Sequence, residues 1–115
     1  MKYLVIAIII ISSLYFLISR EPKSQKSYDD FAKCLAGKQL TMYGAAWCSH
    51  CQAEKKRFGN SFKYVPYMEC PDNPRLCIEK GVEGYPTWID ADGHKYPGEQ
   101  GLDGLARISG CSLPK

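Results

Sequence analysis

The chain has 115 residues, of which 45% are hydrophobic and 23% charged, an ordinary globular composition that excludes a disordered, collagen-like or fibrous protein. Lys2 and Arg20 are two of the fifteen basic residues, so residues 21–115 carry 13 basic against 12 acidic side chains. Such a balance lacks the basic footprint of a nucleic-acid-binding protein, and no nucleic-acid partner is predicted.

The six cysteines are the second informative feature of the composition. Such a density in a small domain is typical of an oxidising compartment, where disulfides persist. A zinc protein is the competing interpretation, but structural zinc sites usually combine two close pairs of ligands, and this chain has a single C-x-x-C. We therefore expect no metal site.

The amino-terminal segment, residues 4–19 (LVIAIIIISSLYFLIS), has sixteen residues without a charge. It is longer than a usual signal-peptide apolar region and slightly short of the roughly 20 residues that span a bilayer. Because no small-x-small cleavage pattern follows, we predict that residues 1–19 form an uncleaved signal anchor with a transmembrane helix. The basic flanks favour a cytoplasmic domain, whereas the cysteines favour an extracytoplasmic one (periplasm, lumen or cell exterior), and we give the cysteines more weight.

Residues 20–27 (REPKSQKS) are polar and predict a linker, which leaves residues 28–115 as one folded domain. A short helix that ends at Gly37 opens this domain, because apolar residues recur at helical spacing. These residues are Phe31, Cys34 and Leu35.

The middle of the domain alternates between strands and helices. Residues 39–44 predict a strand, and residues 45–48 lead from it into a helix that ends near Phe58. That helix carries a charged cluster, Lys55, Lys56 and Arg57, directly after Glu54, and we interpret the cluster as a solvated helix face. Residues 63–69 predict a second strand, which Pro66 places near a sheet edge.

The last third predicts a helix, a hairpin and a final helix. Asn73 and Pro74 suit the cap and first residue of a short helix through Lys80. Residues 87–90 and 94–96 predict a hairpin. Apolar residues at helical spacing then predict an amphipathic helix; they are Leu102, Leu105, Ala106 and Ile108. This order predicts an α/β fold with helices flanking a mixed sheet.

The motif Trp47-Cys48-Ser49-His50-Cys51 lies where a predicted strand ends and a helix begins. A thiol at a helix amino terminus faces unpaired backbone N–H groups and the positive end of the helix dipole, which favour a thiolate. Cys48 is therefore the candidate nucleophile, and Cys51, one turn further along, is the candidate resolving thiol. A protonated His50 would add positive charge and make the disulfide a stronger oxidant.

The redox-active centre would be the Cys48–Cys51 disulfide itself, without a bound cofactor. Half a zinc site and a purely structural disulfide are the alternatives for this pair.

The segment YGAAWCSHC and the later GYPTW together resemble thioredoxin-like proteins, from about Tyr28 to Cys111. The resemblance is closer to the thioredoxin-like domain fused to, or partnered with, bacterial and plant vitamin K epoxide reductase homologues. The motifs of that domain stand here in order as FAKCL, MYGAAWCSHC, YMEC, GYPTW and a closing SG. The resemblance implies a thioredoxin-like fold in which the proline matching Pro86 is cis and lies against the active-site sulfurs. It also implies that Trp47, Tyr85 and Pro86 shape the substrate groove.

The same resemblance places a cysteine pair in the loop that contains Cys70 and Cys77, for which we expect a structural disulfide. Cys34 and Cys111 then remain, and a bond between them would join the first helix to the chain end. Four cysteines still allow three pairings, and a second redox shuttle is the alternative role for Cys70 and Cys77.

Two positions depart from the pattern of thioredoxins. Met42 stands where they carry a buried acid, so the usual proton acceptor for the resolving thiol is missing. Ser49 stands where many relatives have proline, and the redox potential is the property we expect it to tune.

Together these residues predict an enzyme, a membrane-anchored thiol-disulfide oxidoreductase that oxidises protein thiols. The resemblance implies that a quinone-linked, vitamin K epoxide reductase-like membrane partner re-oxidises it. The alternatives are an extracytoplasmic disulfide reductase and a non-catalytic, disulfide-stabilised binding module.

Overall fold

A computed structural model of the chain describes residues 1–19 and 27–115, so the predicted linker lies outside the described residues except for Ser27. The first helix, α1 (Lys2–Ile18), has 17 residues, and none of them is buried. At 1.5 Å per residue it is about 26 Å long, shorter than a hydrocarbon core of about 30 Å. Among the described residues no helix is long and apolar enough to cross a membrane, so the predicted transmembrane helix is not found.

The remaining helices and strands form the folded domain. In chain order they are α2 (Asp29–Gly37), β1 (Thr41–Gly44), α3 (Ser49–Phe58), β2 (Tyr67–Glu69), α4 (Pro74–Glu79), β3 (Thr87–Ile89), β4 (Lys95–Pro97) and α5 (Gly101–Ser109). Two 3₁₀ turns, Gly59–Tyr64 and Cys70–Asp72, lie on either side of β2. Helix α5 ends at Gly110, whose φ of 75° is a left-handed conformation that glycine adopts without steric cost.

The four strands form one mixed sheet in the order β2-β1-β3-β4. Strand β1 pairs in parallel with β2 and antiparallel with β3, while β3 and β4 form an antiparallel hairpin. Met42 of β1 is therefore opposite both Tyr67 and Trp88. This arrangement confirms the predicted mixed α/β architecture and places β2 at an edge, as Pro66 indicated.

Aromatic side chains fill much of the core between the sheet and its helices. Phe58 of α3 stacks on Phe31 at 6.1 Å between ring centroids and meets Trp88 of β3 at 6.4 Å. Such pairs add about 0.5 to 1.5 kcal/mol each beyond area burial, so they hold α2 and α3 against the sheet.

Two sequence-based strand boundaries are wrong. The strand predicted over residues 63–69 begins only at Tyr67, because residues 59–64 form a 3₁₀ turn. Within that turn Phe62 and Tyr64 both pack on the core two residues apart, which imitates strand alternation. Strand β1 starts at Thr41, after Gln39 adopts a φ of 56°. Asn73 is the N-cap residue of α4 and Pro74 its first residue, as predicted, although the Asn73 side chain makes no capping hydrogen bond and its amide nitrogen donates to the Glu69 carbonyl at 3.2 Å.

Candidate active site

Cys48 is the N-cap residue of α3, so its sulfur lies at the amino terminus of that helix. Its backbone is extended (φ −77°, ψ 121°), and its Sγ accepts a hydrogen bond from the Cys51 N–H at 3.3 Å. The residue is buried but keeps 8% of its surface exposed, whereas Cys51 has none. A negative charge forming on this sulfur would face a helix N-terminus and one directed N–H group.

Cys51 lies beneath Cys48 in the first turn of α3 and is completely buried. Burial, together with its hydrogen bond to Cys48, raises the pKa of Cys51 to about 12. Gly44 makes room for this sulfur, because a Cβ at position 44 would lie 2.8 Å from Cys51 Sγ. Both Cys48 and Cys51 are free thiols, so the structure describes the dithiol form of the pair.

The loop before β3 supplies the other wall of the site. The Tyr85–Pro86 peptide bond is cis, and Pro86 is fully buried. The Tyr85 carbonyl accepts a hydrogen bond from Cys48 Sγ at 3.7 Å, which brings this loop against the first cysteine. The Tyr85 ring meets Trp47 edge to face at 5.9 Å, and Trp47 is 71% exposed. The sulfur of Cys48 therefore lies beside an exposed aromatic surface.

His50 projects from the first turn of α3 to an ion-pair network. Its Nδ1 lies 2.7 Å from Glu99 Oε2, and the other carboxylate oxygen of Glu99 accepts a hydrogen bond from Arg57 at 2.8 Å. These two partners lower the pKa of Glu99, His50 having the larger effect. Ser49, at the first position of α3, is exposed.

Glu54 is fully buried, whereas Lys56 and Arg57 of the charged cluster that follows it are exposed, as predicted. Its carboxylate accepts hydrogen bonds from the backbone amides of Gln100 (2.7 Å) and Gly101 (2.9 Å), at the start of α5. The Trp88 indole donates to it at 3.4 Å, and Arg57 donates at 3.3 Å. Glu54 thus joins the active-site helix to α5 and to β3.

The signal that identifies Glu54 is helical periodicity. The buried residues of α3 are Cys51, Glu54 and Phe58, at i, i+3 and i+7 of one helix face. In the sequence this periodicity is hard to recognise, because Glu54 is itself charged and three basic residues follow it directly. Met42, where a buried acid was expected by resemblance, is fully buried on β1.

A second carboxylate, Glu69 of β2, fixes the loop before Cys48. Glu69 Oε2 accepts a hydrogen bond from the Ala46 N–H at 2.8 Å, while Gln52 of α3 donates to the Ala46 carbonyl at 2.8 Å. The Tyr67 hydroxyl donates to the other oxygen of Glu69, and this bond lowers the pKa of Glu69. Burial and the same carboxylate raise the pKa of Tyr67. Both peptide groups of Ala46 are therefore held by side chains.

The four other cysteines are bonded in two pairs. Cys34 of α2 is joined to Cys111 after α5, and Cys70 is joined to Cys77 of α4. The first bond links the two ends of the folded domain, and the second closes the loop that follows β2. Both pairs leave Cys48 and Cys51 as the free thiols among the described residues.

Metal-ligating side chains converge elsewhere in the described part of the chain. Asp90, Asp92 and His94 lie in the β3–β4 hairpin, with one ligand atom from each within 4.8 Å of the others. Asp90 already accepts hydrogen bonds from the Asp92 and His94 amides, which shape the hairpin loop.

The arrangement around Cys48 fits reversible sulfur exchange. A sulfur at a helix terminus can attack or be attacked, and a buried sulfur one turn away can form or break a bond with it. The exposed aromatic surface beside them offers contact area for a polypeptide carrying the other sulfur.

The chain is similar in sequence to several curated proteins. Thiol-disulfide oxidoreductase LTO1 of Arabidopsis thaliana is 41% identical over 91 residues, which cover 71% of this chain and 24% of that protein. Thioredoxin domain-containing protein 5 homolog of Drosophila melanogaster is 31% identical over 78 residues, 57% of this chain and 19% of that protein. Protein disulfide-isomerase of Aspergillus oryzae is 34% identical over 55 residues, 42% of this chain and 11% of that protein.

The chain thus spans about a quarter or less of the length of these relatives. No protein-family model matches the chain. The similarities support a thioredoxin-like protein, and the four-stranded mixed sheet with its helices fits a thioredoxin-like fold. The names of the relatives support an oxidoreductase.

Proposed function

We propose that this chain is a protein thiol-disulfide oxidoreductase that exchanges disulfides with protein thiols through Cys48 and Cys51. The observation that carries the proposal is the position of Cys48 Sγ, at the N-terminus of α3 and 3.7 Å from the Tyr85 carbonyl. There Cys48 keeps 8% of its surface exposed, while Cys51, one helical turn away, is completely buried. The activity named for the Arabidopsis relative agrees with this proposal.

In the oxidising direction the cycle starts from the Cys48–Cys51 disulfide. A substrate thiolate attacks Cys48, the bond to Cys51 breaks, and Cys51 leaves with the electron pair and takes up a proton. A second substrate thiolate then attacks the substrate sulfur of the mixed disulfide, and Cys48 leaves. The products are a substrate disulfide and the Cys48 and Cys51 dithiol, so two electrons have passed from substrate to protein.

The burial of Cys51 affects how long the mixed disulfide lasts. Because burial raises the pKa of Cys51 to about 12 in the dithiol, a displaced Cys51 sulfur that stays buried holds a proton at neutral pH. A protonated thiol is a poor nucleophile, so Cys51 seldom reattacks the mixed disulfide and releases the substrate unoxidised. The second substrate thiol then has time to complete the oxidation.

Trapping of the mixed disulfide tests the proposal. The second step also runs in reverse: the Cys48 thiolate attacks a substrate disulfide, and one substrate sulfur leaves with the electron pair and takes up a proton. Cys51→Ser lacks the sulfur that would resolve this mixed disulfide, so it should accumulate substrate proteins bound covalently to Cys48 in cells, visible on non-reducing gels and released by dithiothreitol. The matched control is Cys48→Ala combined with Cys51→Ser, which should show none of these adducts. A Cys51→Ser protein without adducts, or with the same adducts in the control, would contradict the proposal.

The redox potential of the pair tests the direction. An oxidant should have a potential nearer to about −120 mV than to about −270 mV, the values typical of a strong oxidase and of a reducing thioredoxin. A potential at or below the second value would favour the alternative, an extracytoplasmic reductase.

We also propose that α1 attaches the domain to a membrane, with the domain on the extracytoplasmic side. All residues of α1 are exposed, and large apolar side chains lie along its whole length. In alkaline extraction the chain should stay with the membranes, and Ile9→Asp combined with Leu14→Asp should release it, since charges are costly in hydrocarbon. A membrane-impermeant thiol reagent should label reduced Cys48 in intact cells; failure to label it would reverse the orientation.

The proposed electron acceptor is a quinone-linked membrane partner like vitamin K epoxide reductase, which the motifs around Cys48 and Pro86 imply by resemblance. Two electrons must leave the dithiol in each cycle, and a disulfide of such a partner would take them. Re-oxidation of the dithiol in isolated membranes should therefore stop when quinone is extracted and resume when it is restored. Re-oxidation at an unchanged rate in quinone-free membranes would remove this partner from the scheme.

A further inference from the structure

The loop between β4 and α5, residues 98–101 (GEQG), contacts the active site through every one of its residues. The Gly98 N–H donates to the Pro86 carbonyl at 2.7 Å. Glu99 pairs with His50, and the amides of the next two residues donate to the buried carboxylate of Glu54. This loop therefore joins the cis-proline loop to the helix that carries Cys48 and Cys51.

Glu99 is the residue of this loop that reaches the C-x-x-C motif. Its carboxylate lies 2.7 Å from His50 Nδ1, which is short enough for a charge-assisted hydrogen bond. The His50 side chain is 70% exposed, so without this contact it would be free to rotate in solvent. Glu99, at 24% exposure, is held more firmly by its second partner, Arg57.

The charged groups that face His50 set the sign of its effect. Glu99 is the carboxylate in contact with the ring. The Arg57 guanidinium, on the other side of Glu99, forms ion pairs with both Glu99 and Glu54. When His50 is protonated, this carboxylate forms an ion pair with the ring. A charged imidazole in the first turn of α3 favours negative charge on Cys48, which exists in the dithiol state and not in the disulfide.

We propose that Glu99 is a positioning residue for disulfide exchange, which holds His50 beside the Cys48 and Cys51 pair and so makes that pair more oxidising. This inference rests on the proposed function. Glu99 touches neither sulfur and acts through His50 alone.

The test measures the redox equilibrium of the full chain, in detergent, with glutathione: one protein disulfide and two glutathione thiols give the protein dithiol and one glutathione disulfide. Glu99→Gln should lower the equilibrium constant for reduction about two- to fivefold near pH 6, the range expected for an exposed ion pair. Glu79→Gln, an exposed carboxylate on α4, is the matched control and should not change the constant.

A double-mutant cycle separates positioning from a structural role. In a His50→Ala background, Glu99→Gln should have no effect on the constant. An effect that survives His50→Ala, or no effect of Glu99→Gln in the unaltered background, would overturn the inference. If the unaltered protein itself fails to exchange with glutathione, the proposed function fails together with it, whereas normal exchange without a Glu99 effect refutes this inference alone.

Discussion

Substitution of Glu54 tests how the active-site helix is held in place, because its carboxylate is buried and both of its oxygens accept hydrogen bonds. Oε2 accepts from Gln100 N at 2.7 Å and from the Trp88 indole at 3.4 Å. Oε1 accepts from Gly101 N at 2.9 Å and from Arg57 at 3.3 Å. Each oxygen therefore faces one backbone amide at the start of α5. The change Glu54→Gln replaces one of these oxygens with an NH₂ group.

Either orientation of the new amide places its NH₂ group against a backbone N–H, of Gln100 or of Gly101. Two hydrogen bonds are lost there, because the replaced oxygen also accepts from the Trp88 indole or from Arg57, and buried donors then face each other, at about 1 to 3 kcal/mol for an unsatisfied buried group. The remaining bonds lose their charge assistance and the helix terminus loses its anion, about 0.5 to 1 kcal/mol more. Removal of a buried charge offsets part of this loss. We expect the free energy of unfolding to fall by about 2 to 3 kcal/mol.

Urea unfolding of the full chain, with its two structural disulfides intact, measures this change. Glu79→Gln is the control, because it makes the same chemical change at an exposed position on α4. We expect Glu54→Gln to shift the unfolding midpoint markedly and the control to leave it within about 0.5 kcal/mol of the unaltered protein. A Glu54→Gln protein as stable as the control would refute the proposed bridging role of the buried carboxylate.

Two further predictions concern the cysteines. Loop-closure entropy predicts that loss of the Cys34–Cys111 bond, which spans 77 residues, lowers the free energy of unfolding by about 4.5 kcal/mol, and that loss of Cys70–Cys77, which spans 7, lowers it by about 2.4 kcal/mol. Urea unfolding of the two double Cys→Ser variants measures both, and equal losses would contradict the entropic argument. The raised pKa of Cys51 predicts that the reduced protein loses stability as the pH rises from about 9 to about 12, because over that range the unfolded thiol gives up a proton that the folded thiol retains. The stability difference between the reduced protein and Cys51→Ser should follow this pH course, and a difference independent of pH would show that Cys51 titrates normally.

Much of the fold follows from local pattern. Helical spacing of apolar residues and glycine or proline at element ends place α2, α3, α5 and the β3–β4 hairpin close to their observed bounds. Strand β2 is mispredicted because Phe62 and Tyr64 pack on the core from a 3₁₀ turn with the two-residue period of a strand. Periodicity cannot distinguish these two cases, since both bury alternate residues.

The C-x-x-C motif can also be predicted from the sequence alone. Its chemistry needs two sulfurs one helical turn apart, and the predicted strand before the motif places the first sulfur at a helix terminus. The side chains that hold the motif in place cannot be predicted from the sequence in this way. Glu54 bonds to residues 46 and 47 positions away, and His50 pairs with a residue 49 positions away. Such pairs depend on how α3, the cis-proline loop and α5 pack together. The charge of Glu54, next to three basic residues, would predict an exposed side chain, whereas Glu54 is buried.

The sequence by itself determined the two reactive cysteines, the order of helices and strands, and the apolar segment at the amino terminus, because each is encoded within a few neighbouring residues. Tertiary structure alone decided that Cys51 is buried behind Gly44, that Glu54 joins α3 to α5, and that Glu99 holds His50. These contacts arise when distant segments pack together, and no local periodicity specifies which side chains then meet.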